Sequence, residues 1–584
     1  MSALVEKISA TQWDLKDTIG LLLLGSTFLY FLRFFLLPKP LLGIPYNPEA
    51  VQSLLGDVPA MIRAGGGIAD WLLSQARLSN GPLHQVFIKP FARPYVLISD
   101  FNLAREVMMH RKEWDRADFT IDLLSTHAPY HQINLKANQA WKTQRRQFQS
   151  LMTQDFLHGV VAPNVYAGTL DLVELWATKE HVVGGRPFSA ELDIFHSSLD
   201  AVLEFSFGSS FPHRAIPPQA SYVQGLTPDR VKTSTAGAAE FDHQPVHETI
   251  EATLHATYVV GDLIEIPYGH LLWWFQSKLP SESRRIRLRH AYIKEQVFEA
   301  VRRMNTETDW HDESTWVGSA VDMMMQRERL TAEREGRKPV YWSPAIRDEV
   351  FGFVIGGHDT SSTTALWGLK FLSDSQEVQD KLRHALRDTH AVAVDEGRMP
   401  TAQEITSTQV PYLEAVIEEM SRLGHTIPML ERQATCDTEL LGHRIPKGTT
   451  AIMMTLGPSI TEPGITAEYE TGSASAPGGQ KRGARPPWDH TGMAEFRPER
   501  WLTADEQGQQ VFNATAGPTM PFGMGVRGCA GKKLARLQLR ITFTLLVWRF
   551  RLARCAPELS GYGAVQTLTH KPAQCYVKLE RLDG

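Results

Sequence analysis

The stretch that most constrains the fold is a glycine-rich turn around one cysteine, over residues 521–531, which reads PFGMGVRGCAG. Three of its glycines allow the backbone to adopt positive φ and to approach another surface closely: Gly523, Gly525 and Gly528. A helix-forming run follows at once. Cys529 is therefore expected at the N-terminal end of a helix, where free N–H groups and the helix dipole favour a sulfur anion.

This turn has the side chains that a haem-binding loop needs. Cys529 is a candidate axial ligand, because a thiolate can hold a haem iron and push electron density onto it. Gly531 lets the following helix pack against a flat ring. Arg527 is placed to pair with a carboxylate at the ring edge, and Phe522 can cover the sulfur and exclude water. The alternative is an ordinary turn with a buried structural thiol, the commonest fate of a lone cysteine.

Phe522, Gly525, Arg527, Cys529 and Gly531 stand at the spacing F-x-x-G-x-R-x-C-x-G. This pattern resembles the haem-thiolate loop of the cytochrome P450 family. The resemblance extends over most of the chain, because three further motifs follow the family's order. It implies the family's fold, mainly α with a small β region, with haem b between two helices.

The second motif, GGHDTS at residues 356–361, lies in a long helix predicted over Arg347–Leu372. Glycines inside a helix cost ~1 kcal/mol each relative to Ala, so close approach to a flat cofactor would explain them. Gly356 and Thr360 share one face, and Asp359 places an acid beside the Thr360 hydroxyl, a pair suited to relaying protons. The run resembles the family's oxygen-activation motif; a capping cluster at a helix boundary is the alternative.

The third motif is a tryptophan and an arginine four residues apart. Trp141 and Arg145 share a face of a helix predicted over Ala137–Met152. A stacked pair on a surface helix is the plain interpretation. The spacing also resembles the family's W-x-x-x-R, which implies that both side chains reach a haem propionate. The resemblance implies the same contact for Arg432.

The fourth motif is Glu419 and Arg422, which resemble the family's E-x-x-R. Arg500, within FRPERW at residues 496–501, would be the third partner. The resemblance implies a buried network that positions the loop of Cys529 and takes no direct part in the chemistry. The alternative is a surface ion pair, which contributes only a few tenths of a kcal/mol.

The N-terminal region predicts a membrane anchor. Residues 19–37 are an almost continuous apolar run, which at ~1.5 Å per residue approaches the ~30 Å core of a bilayer. A buried core helix is the alternative, and basic residues on the two sides of the run are balanced. Residues 1–18 are then a tail, 38–48 a proline-rich hinge and 49–584 one haem-thiolate catalytic domain. Within that domain, residues 461–487 are predicted to be a disordered surface insertion.

Composition adds little about partners. The net charge of −5 over 584 residues does not point to nucleic acid. Four scattered cysteines are too few for a disulfide framework or a C-x-x-C zinc site, which favours a reducing compartment.

The substrate pocket and three other segments are predicted from the sequence pattern alone. The pocket is expected to be mostly apolar and to bind a hydrophobic small molecule. Its walls are predicted near these residues: Phe353, Ile355, Gly356, a loop over Trp114–His131, and Thr426–Met429. Two further segments are predicted as a loop over Ser209–Gln244 and a terminal hairpin over Gln566–Leu579. An amphipathic element at Leu263–Leu279 is expected to touch a membrane or cover the site, with a core helix as the alternative.

The resemblance implies a single-pass monooxygenase of the endoplasmic reticulum with its catalytic domain in the cytosol. It would insert one atom of O2 into its substrate by hydroxylation or epoxidation, in fungal specialised-metabolite biosynthesis. A separate flavin-containing reductase would supply electrons from NADPH and dock on a basic face formed by Lys532, Lys533, Arg536 and Arg540. The alternatives are a haem-thiolate isomerase or dehydratase, against which the Asp359–Thr360 pair speaks, and a non-catalytic haem-binding protein.

Overall fold

The computed structural model describes residues 15–79, 81–464 and 490–582. Most of the predicted insertion over 461–487 and most of the tail over 1–18 lie outside the described residues. The described chain is mainly α-helical with small β-sheets, as predicted.

The helices are α1 (Leu15–Leu36), α2 (Val58–Ala64), α3 (Gly67–Leu78), α4 (Phe101–Met109), α5 (Asp118–Leu124), α6 (Gln139–Ser150), α7 (Gln154–Phe156), α8 (Ala162–Val183), α9 (Glu191–Phe207), α10 (Ile216–Gln224), α11 (Glu248–Ile264), α12 (Gly269–Gln276), α13 (Pro280–Thr306), α14 (Glu313–Trp316), α15 (Ala320–Arg334), α16 (Pro344–Asp374), α17 (Gln376–Thr389), α18 (Ala391–Asp395), α19 (Ala402–Ser407), α20 (Pro411–Gly424) and α21 (Lys532–Arg549). The strands are β1 (Leu83–Val86), β2 (Tyr95–Ile98), β3 (Trp114–Asp115), β4 (Phe188–Ser189), β5 (Lys232–Thr233), β6 (Ala239–Glu240), β7 (Met429–Ala434), β8 (Thr438–Leu440), β9 (His443–Ile445), β10 (Thr450–Met454), β11 (Leu502–Ala504), β12 (Gln510–Phe512), β13 (Phe550–Ala553), β14 (Ala564–Gln566), β15 (His570–Pro572) and β16 (Tyr576–Arg581).

Helix α16 runs through the core. Ser343 caps its start by accepting a hydrogen bond from the Ile346 N–H at 3.2 Å, and Pro344 occupies the first turn, where no N–H is needed. All residues from Ser361 to Ser373 are buried. One apolar cluster joins this helix to α8, α9, α20 and α21. The helix with the GGHDTS motif is therefore held firmly by its C-terminal half.

The main sheet has the strand order β1-β2-β10-β7-β3. Strand β10 pairs in parallel with β2, with Thr450 opposite Tyr95, and antiparallel with β7, with Ala451 opposite Arg432. This sheet brings segments more than three hundred residues apart in the chain side by side. It also places Arg432 next to Asp115 of β3, which pairs with Gln433.

A hairpin lies in this region, but not over the predicted bounds Gln566–Leu579. The hairpin is instead β14 with β15, where Val565 lies opposite Lys571. Strand β16 pairs with β13 and, at its start, with β4. Short apolar strands carry little information about their partners, because tertiary packing decides the pairing.

Two predicted loops contain regular structure. The segment Trp114–His131 forms β3 and α5, and Ser209–Gln244 contains α10, β5 and β6. Helix α10 begins with Pro217 and Pro218 in its first turn, where proline is tolerated. The prolines were therefore a helix-start signal rather than a loop signal.

The N-terminal apolar run forms helix α1, and most of its apolar side chains are exposed. Across residues 15–79, 81–464 and 490–582, no helix is both long and apolar enough to cross a membrane. The structure therefore does not support the predicted transmembrane span over residues 19–37.

Candidate active site

The cysteine loop is a tight turn closed by its own backbone. The Cys529 N–H donates to the Phe522 carbonyl at 2.8 Å, and the Gly528 N–H donates to the Gly525 carbonyl at 3.0 Å. Gly525 has φ +67°, and a Cβ there would lie 2.2 Å from the Met108 carbonyl oxygen, so only glycine fits. Gly523 also has positive φ, whereas Gly528 has φ −59°, so the prediction of positive φ is wrong for Gly528.

The Cys529 thiol lies just before α21 and is accessible to solvent. Burial nevertheless raises its pKa, whereas the Gly531 N–H and the Arg145 guanidinium act to lower it. A side chain in the wall of a concavity can be reached by solvent and still be surrounded by enough protein for burial to raise its pKa. The groups that oppose burial all favour the thiolate, the form that binds a metal.

Open space lies beside two of the predicted glycines. A Cβ built on Gly531 or on Gly356 would meet no atom within 4 Å, whereas a Cβ on Gly357 would lie 2.8 Å from Val202. The Thr360 hydroxyl, on the Gly356 face, donates to the Gly356 carbonyl at 2.8 Å. Gly356 thus leaves room where a ring would lie, while Gly357 allows α16 to pack on α9.

Three arginines converge near the loop with more charge than their partners neutralise. Arg527 donates to Asp115 at 2.6 and 2.8 Å, but its Nη1 is buried without a partner in the described chain. Burial and the neighbouring Arg432 and Arg527 lower the pKa of Arg116 to about 9. Burial, with Arg527 beside it, lowers the pKa of Arg432 to about 10. Such a cluster is suited to bind an additional anionic group.

Helix α6 brings both of its predicted residues to the cysteine loop. The Trp141 ring lies 4.3 Å from the Arg527 guanidinium carbon, and Arg145 Nη2 donates to the Gly528 carbonyl at 2.8 Å. Asn138 caps this helix by accepting from the Trp141 N–H at 2.9 Å. The cation that stacks on Trp141 is therefore Arg527, not the Arg145 of the plain interpretation.

The acid of the GGHDTS motif is buried beside the Gly356 face. Asp359 is only 6% exposed, and its Oδ2 has no hydrogen-bond partner among the described residues. Consecutive helix residues lie ~100° apart, so Asp359 and Thr360 occupy adjacent faces of α16. The next residue back, His358, is fully buried, and burial lowers its pKa.

Glu419 is the centre of a buried network. Arg422 donates to it twice at 2.8 Å, and Arg500 donates at 2.9 Å. Trp501 Nε1 adds a fourth bond at 2.8 Å, which sequence analysis missed. The structure thus brings Glu419, Arg422 and Arg500 together as the motif predicts, although their effect on the cysteine loop stays a prediction.

The basic face on α21 is partly neutralised. Arg536 pairs with Glu418, and Arg540 pairs with Glu414. Lys533 donates to the Met152 carbonyl at 3.1 Å, while Lys532 is exposed, with its ammonium group 5.6 Å from the centre of the Phe522 ring. The predicted docking charges are therefore fewer than the sequence suggests, while the cover of the sulfur by Phe522 stays a prediction.

The structure gives the surroundings of three residues expected near the pocket wall. Phe353 is buried, with ring centres 5.4 Å from Phe148 and 5.7 Å from Phe205, and its place in the pocket wall stays a prediction. Ile355 is half-buried, and the Thr426 hydroxyl bonds the Thr364 hydroxyl at 2.8 Å.

Sequence analysis missed a histidine and a glutamate near Gly352, which lies one turn before Gly356. A Cβ on Gly352 would lie 2.3 Å from His131 Nε2, and the same nitrogen lies 3.5 Å from Glu349. Glu349, Gly352, Gly356 and Thr360 lie along one stripe of α16. Gly352, a third glycine in the same helix, was the available signal for this close contact.

The loop geometry fits a flat group with a thiolate ligand and negative edges. The observations are the open space beside Gly356 and Gly531, the accessible Cys529 sulfur, and the unpartnered Nη1 of Arg527. An iron porphyrin has this shape and, through two carboxylates, this charge.

The family model for Cytochrome P450 matches residues 72–458 and 494–561. The cytochrome P450 monooxygenase TRI13 of Fusarium sporotrichioides is 35% identical, over 95% of this chain and 98% of its own. The cytochrome P450 monooxygenase xilC of Penicillium rubens is 33% identical, over 99% of each chain. Among solved structures, the haem domain of cytochrome P450DA superposes with a TM-score of 0.65 at 18% identity, over 93% of this chain and 99% of its own.

Proposed function

We infer the function of this chain from its family: it belongs to the cytochrome P450 family and is a haem-dependent monooxygenase. We propose that it transfers one oxygen atom from O2 to a hydrophobic small molecule, by hydroxylation or epoxidation, in the biosynthesis of a specialised metabolite. The observation that carries the proposal is the Cys529 loop, whose thiol lies at the start of α21 between Arg145 and the Gly531 N–H. Its fungal relatives are named monooxygenases, which supports the same reaction class.

Haem b bound at Cys529 would supply the activation of O2, with electrons from NADPH arriving through a separate reductase. The chain's own contribution begins with the ligand. Arg145 and the N–H groups at the start of α21 favour the thiolate form of Cys529, because they act to lower its pKa. Arg116, Arg432 and Arg527 would bind the two carboxylates at the ring edge.

Proton transfer would depend on Thr360 and Asp359. The Thr360 hydroxyl is held by the Gly356 carbonyl, next to the space that Gly356 leaves. Asp359 is the residue before Thr360 in α16 and has an oxygen without a partner in the described residues. We propose that the Thr360 hydroxyl would hold a proton beside the space that Gly356 leaves, and that Asp359 would replenish it.

Membrane association is part of the proposal. Helix α1 exposes a series of apolar side chains, such as Phe28 at 65% and Phe35 at 76%. Helix α12 exposes Trp274 at 59% and Phe275 at 66%. Large exposed apolar surfaces mark places that bind lipid or protein. We propose that both helices contact the endoplasmic reticulum membrane, with the catalytic domain in the cytosol.

The test is a difference spectrum of the reduced protein with and without carbon monoxide. The parent protein and a Cys436→Ser control are expected to show the strongly red-shifted band of a thiolate-ligated haem. Cys529→Ser is expected to lose that band. An unshifted band in the parent would overturn the assignment of Cys529.

A second measurement separates the reaction classes. With a flavin-containing reductase and NADPH, a monooxygenase consumes O2 when its substrate is present. An isomerase, a dehydratase or a haem carrier would not. Failure to consume O2 with any substrate that perturbs the haem spectrum would therefore contradict the proposed reaction.

A further inference from the structure

Arg289 of α13 is a buried cation that lacks a hydrogen-bond acceptor. It is only 3% exposed, and its Nε has no partner among the described residues. Its guanidinium carbon lies 4.0 Å from the centre of the Phe351 ring of α16. Burial lowers the pKa of Arg289 to about 10, so the side chain is still charged at neutral pH. Native proteins rarely bury a charged group without a partner, so this arginine needs an explanation.

The charges around Arg289 do not neutralise it. Asp348 is the carboxylate that acts on it, and the positive charge of Arg347 opposes that effect. Both oxygens of Asp348 are already engaged, because Arg347 Nε donates to one at 2.7 Å and the Tyr130 N–H donates to the other at 2.9 Å. One carboxylate is therefore shared between two guanidinium groups, and a positive charge is left over.

Two neighbouring histidines show the same surplus of positive charge. Burial and the charge of Arg289 lower the pKa of His127, and burial, Arg289 and Arg347 lower the pKa of His290 to about 4. Both imidazoles are therefore neutral at pH 7 and supply no negative charge. The His127 ring also stacks on Trp273 of α12, with 4.3 Å between the ring centres. Arg289 thus lies where α13, α16 and the segment before α6 come together.

This place is close to the space beside Gly356. Asp348 and Phe351 precede Gly356 by eight and five residues in α16, which corresponds to about 12 and 7.5 Å along the helix axis. His127 belongs to the segment over Trp114–His131, which is expected to form a wall of the pocket. A molecule that occupies the space beside Gly356 and extends along α16 would therefore reach the guanidinium group.

Other buried arginines in the described chain have carboxylate partners. Arg422 pairs with Glu419 at 2.8 Å, and Arg527 pairs with Asp115 at 2.6 Å. The charged side chains that act on Arg289 belong to α16, so it is separate from the arginine cluster beside the cysteine loop. The carboxylates of a bound ring would therefore not explain Arg289.

We propose that Arg289 binds a carboxylate of the substrate, and that the substrate is a hydrophobic carboxylic acid whose apolar part lies toward the Gly356 face. A carboxylate matches the planar fork of a guanidinium group and can accept two hydrogen bonds from it. It would supply the missing acceptor and cancel the surplus charge. This inference rests on the proposed function, because it names the class of molecule that the same site takes. Arg289 determines specificity and takes no part in the oxidation.

The first test uses ligands that report their own binding to the haem-loaded protein. The probes are ω-imidazolyl alkanoic acids of increasing chain length, each compared with its methyl ester. Their imidazole binds the haem iron and shifts the absorption of the haem, so affinity is measured without any turnover. For at least one chain length, we expect the acid to bind roughly 10–100-fold more tightly than the ester, as for hydrogen bonds to a charged group.

Three variants assign that preference to one side chain. Arg289→Met should bind acid and ester equally, and Arg289→Lys should keep part of the preference. Arg284→Met removes an arginine of the same helix whose side chain is 65% exposed and paired with Glu248, and it should behave as the parent does. Equal affinities for acid and ester in the parent at every chain length would overturn the proposal.

The second test separates ligand binding from support of the fold. Without ligand, Arg289→Met should raise the urea midpoint of unfolding, because an apolar chain replaces a buried charge that has no partner. The acid probe at saturation should raise the midpoint of the parent by more than that of Arg289→Met. A lower midpoint in the variant, together with equal weakening of acid and ester, would mean that Arg289 is structural and would refute the proposal.

The outcomes also distinguish this inference from the proposed function. If the parent lacks the red-shifted carbon monoxide band, the proposed function fails and this inference fails with it. If that band is present and imidazole alone shifts the haem absorption, but acid and ester bind equally, the proposed function stands and only the role of Arg289 is wrong.

Discussion

At the scale of single residues, the end of the site beside the cysteine loop is defined by uncompensated positive charge. The positive charges of Arg432 and Arg527 help to lower the pKa of Arg116. The charge of Arg527 likewise helps to lower the pKa of Arg432. Asp115 and Glu431 are the carboxylates that oppose them. The cluster is therefore suited to bind a group that carries further negative charge.

The first prediction concerns Arg116, which sequence analysis did not identify. Arg116→Gln should weaken haem retention, because a hydrogen bond to a charged group contributes about 1.5–3 kcal/mol, or roughly 10–100-fold in affinity. The measurement is the rate of haem transfer to an excess of apo-myoglobin. Arg444→Gln, which removes an exposed arginine paired with Asp437, is the control. Equal rates for parent and Arg116→Gln would exclude the contact.

A second prediction concerns pH. Burial raises the pKa of Glu349 to about 7, so the folded protein holds this proton more tightly than the unfolded chain. The contribution of Glu349 to the free energy of unfolding is therefore full below about pH 4.5 and falls as the pH rises to about 7. Burial lowers the pKa of His131 to about 4, so its contribution is lost as the pH falls from about 6.5 to 4.

Glu349→Gln removes only the first of these effects. The stability of the variant relative to the parent should therefore increase by up to about 3 kcal/mol between roughly pH 5 and pH 8. Urea unfolding of both proteins at the two pH values measures this difference. An unchanged difference would show that Glu349 titrates in the folded protein as it does in the unfolded chain.

The motif residues could be predicted because each motif lies within one local segment. The spacing of Arg527 and Cys529, or of Gly356 and Thr360, is a property of a single turn or helix. Arg116 and His131 lie in a segment without clear periodicity, and they meet the site only through tertiary contacts. A single sequence holds no signal for such a contact beyond Gly352, whose missing side chain accommodates His131.

At the scale of elements, the two adjacent glycines of α16 serve different purposes. Gly356→Ala should stabilise the helix by up to ~1 kcal/mol in the haem-free protein, because its Cβ meets nothing. Gly357→Ala should destabilise it, because its Cβ would lie 2.8 Å from Val202. Thermal unfolding compares the two. In the haem-loaded protein, only Gly356→Ala is expected to weaken carbon monoxide binding.

Glu419 is the shared partner of two buried arginines, so a single substitution there should strongly lower the stability of the protein. Glu419→Gln leaves Arg422 and Arg500 buried without their carboxylate, which should cost roughly 3–5 kcal/mol. Glu414→Gln, which breaks a more exposed pair with Arg540, is the control and should cost less than about 1 kcal/mol. Denaturant unfolding measures both. Similar losses in the two variants would mean that the network is not a buried structural unit.

Long helices were more predictable than short strands. The expected helices over Arg347–Leu372 and Ala137–Met152 match α16 and α6 to within a few residues. The partners of β16 were not predictable, because one partner is β13 and the other is β4, almost four hundred residues earlier. Periodicity indicates which face of a strand is buried but not which strand lies beside it.

At the scale of the whole molecule, exposed apolar surface is concentrated on α1 and α12. The triple variant Phe28→Ser/Phe34→Ser/Phe35→Ser should bind phospholipid vesicles more than about 100-fold more weakly, since burial of each ring contributes about 1.5–3 kcal/mol. Val392→Ser, another exposed apolar position, is the control. Vesicle flotation measures binding, and equal flotation of the triple variant and parent would contradict membrane contact through α1.

The parallel pairing of β2 with β10 has a consequence for the synthesis of the chain on the ribosome. Trp141 is made nearly four hundred residues before Cys529, which at ~5–20 residues per second is a delay of roughly 20–80 s on the ribosome. During that time β2 has no β10 to pair with, and the apolar faces of α8 and α9 have no α21 to cover them. The nascent chain therefore exposes these apolar surfaces during that interval, and the site that would hold haem is incomplete until Cys529 has been made.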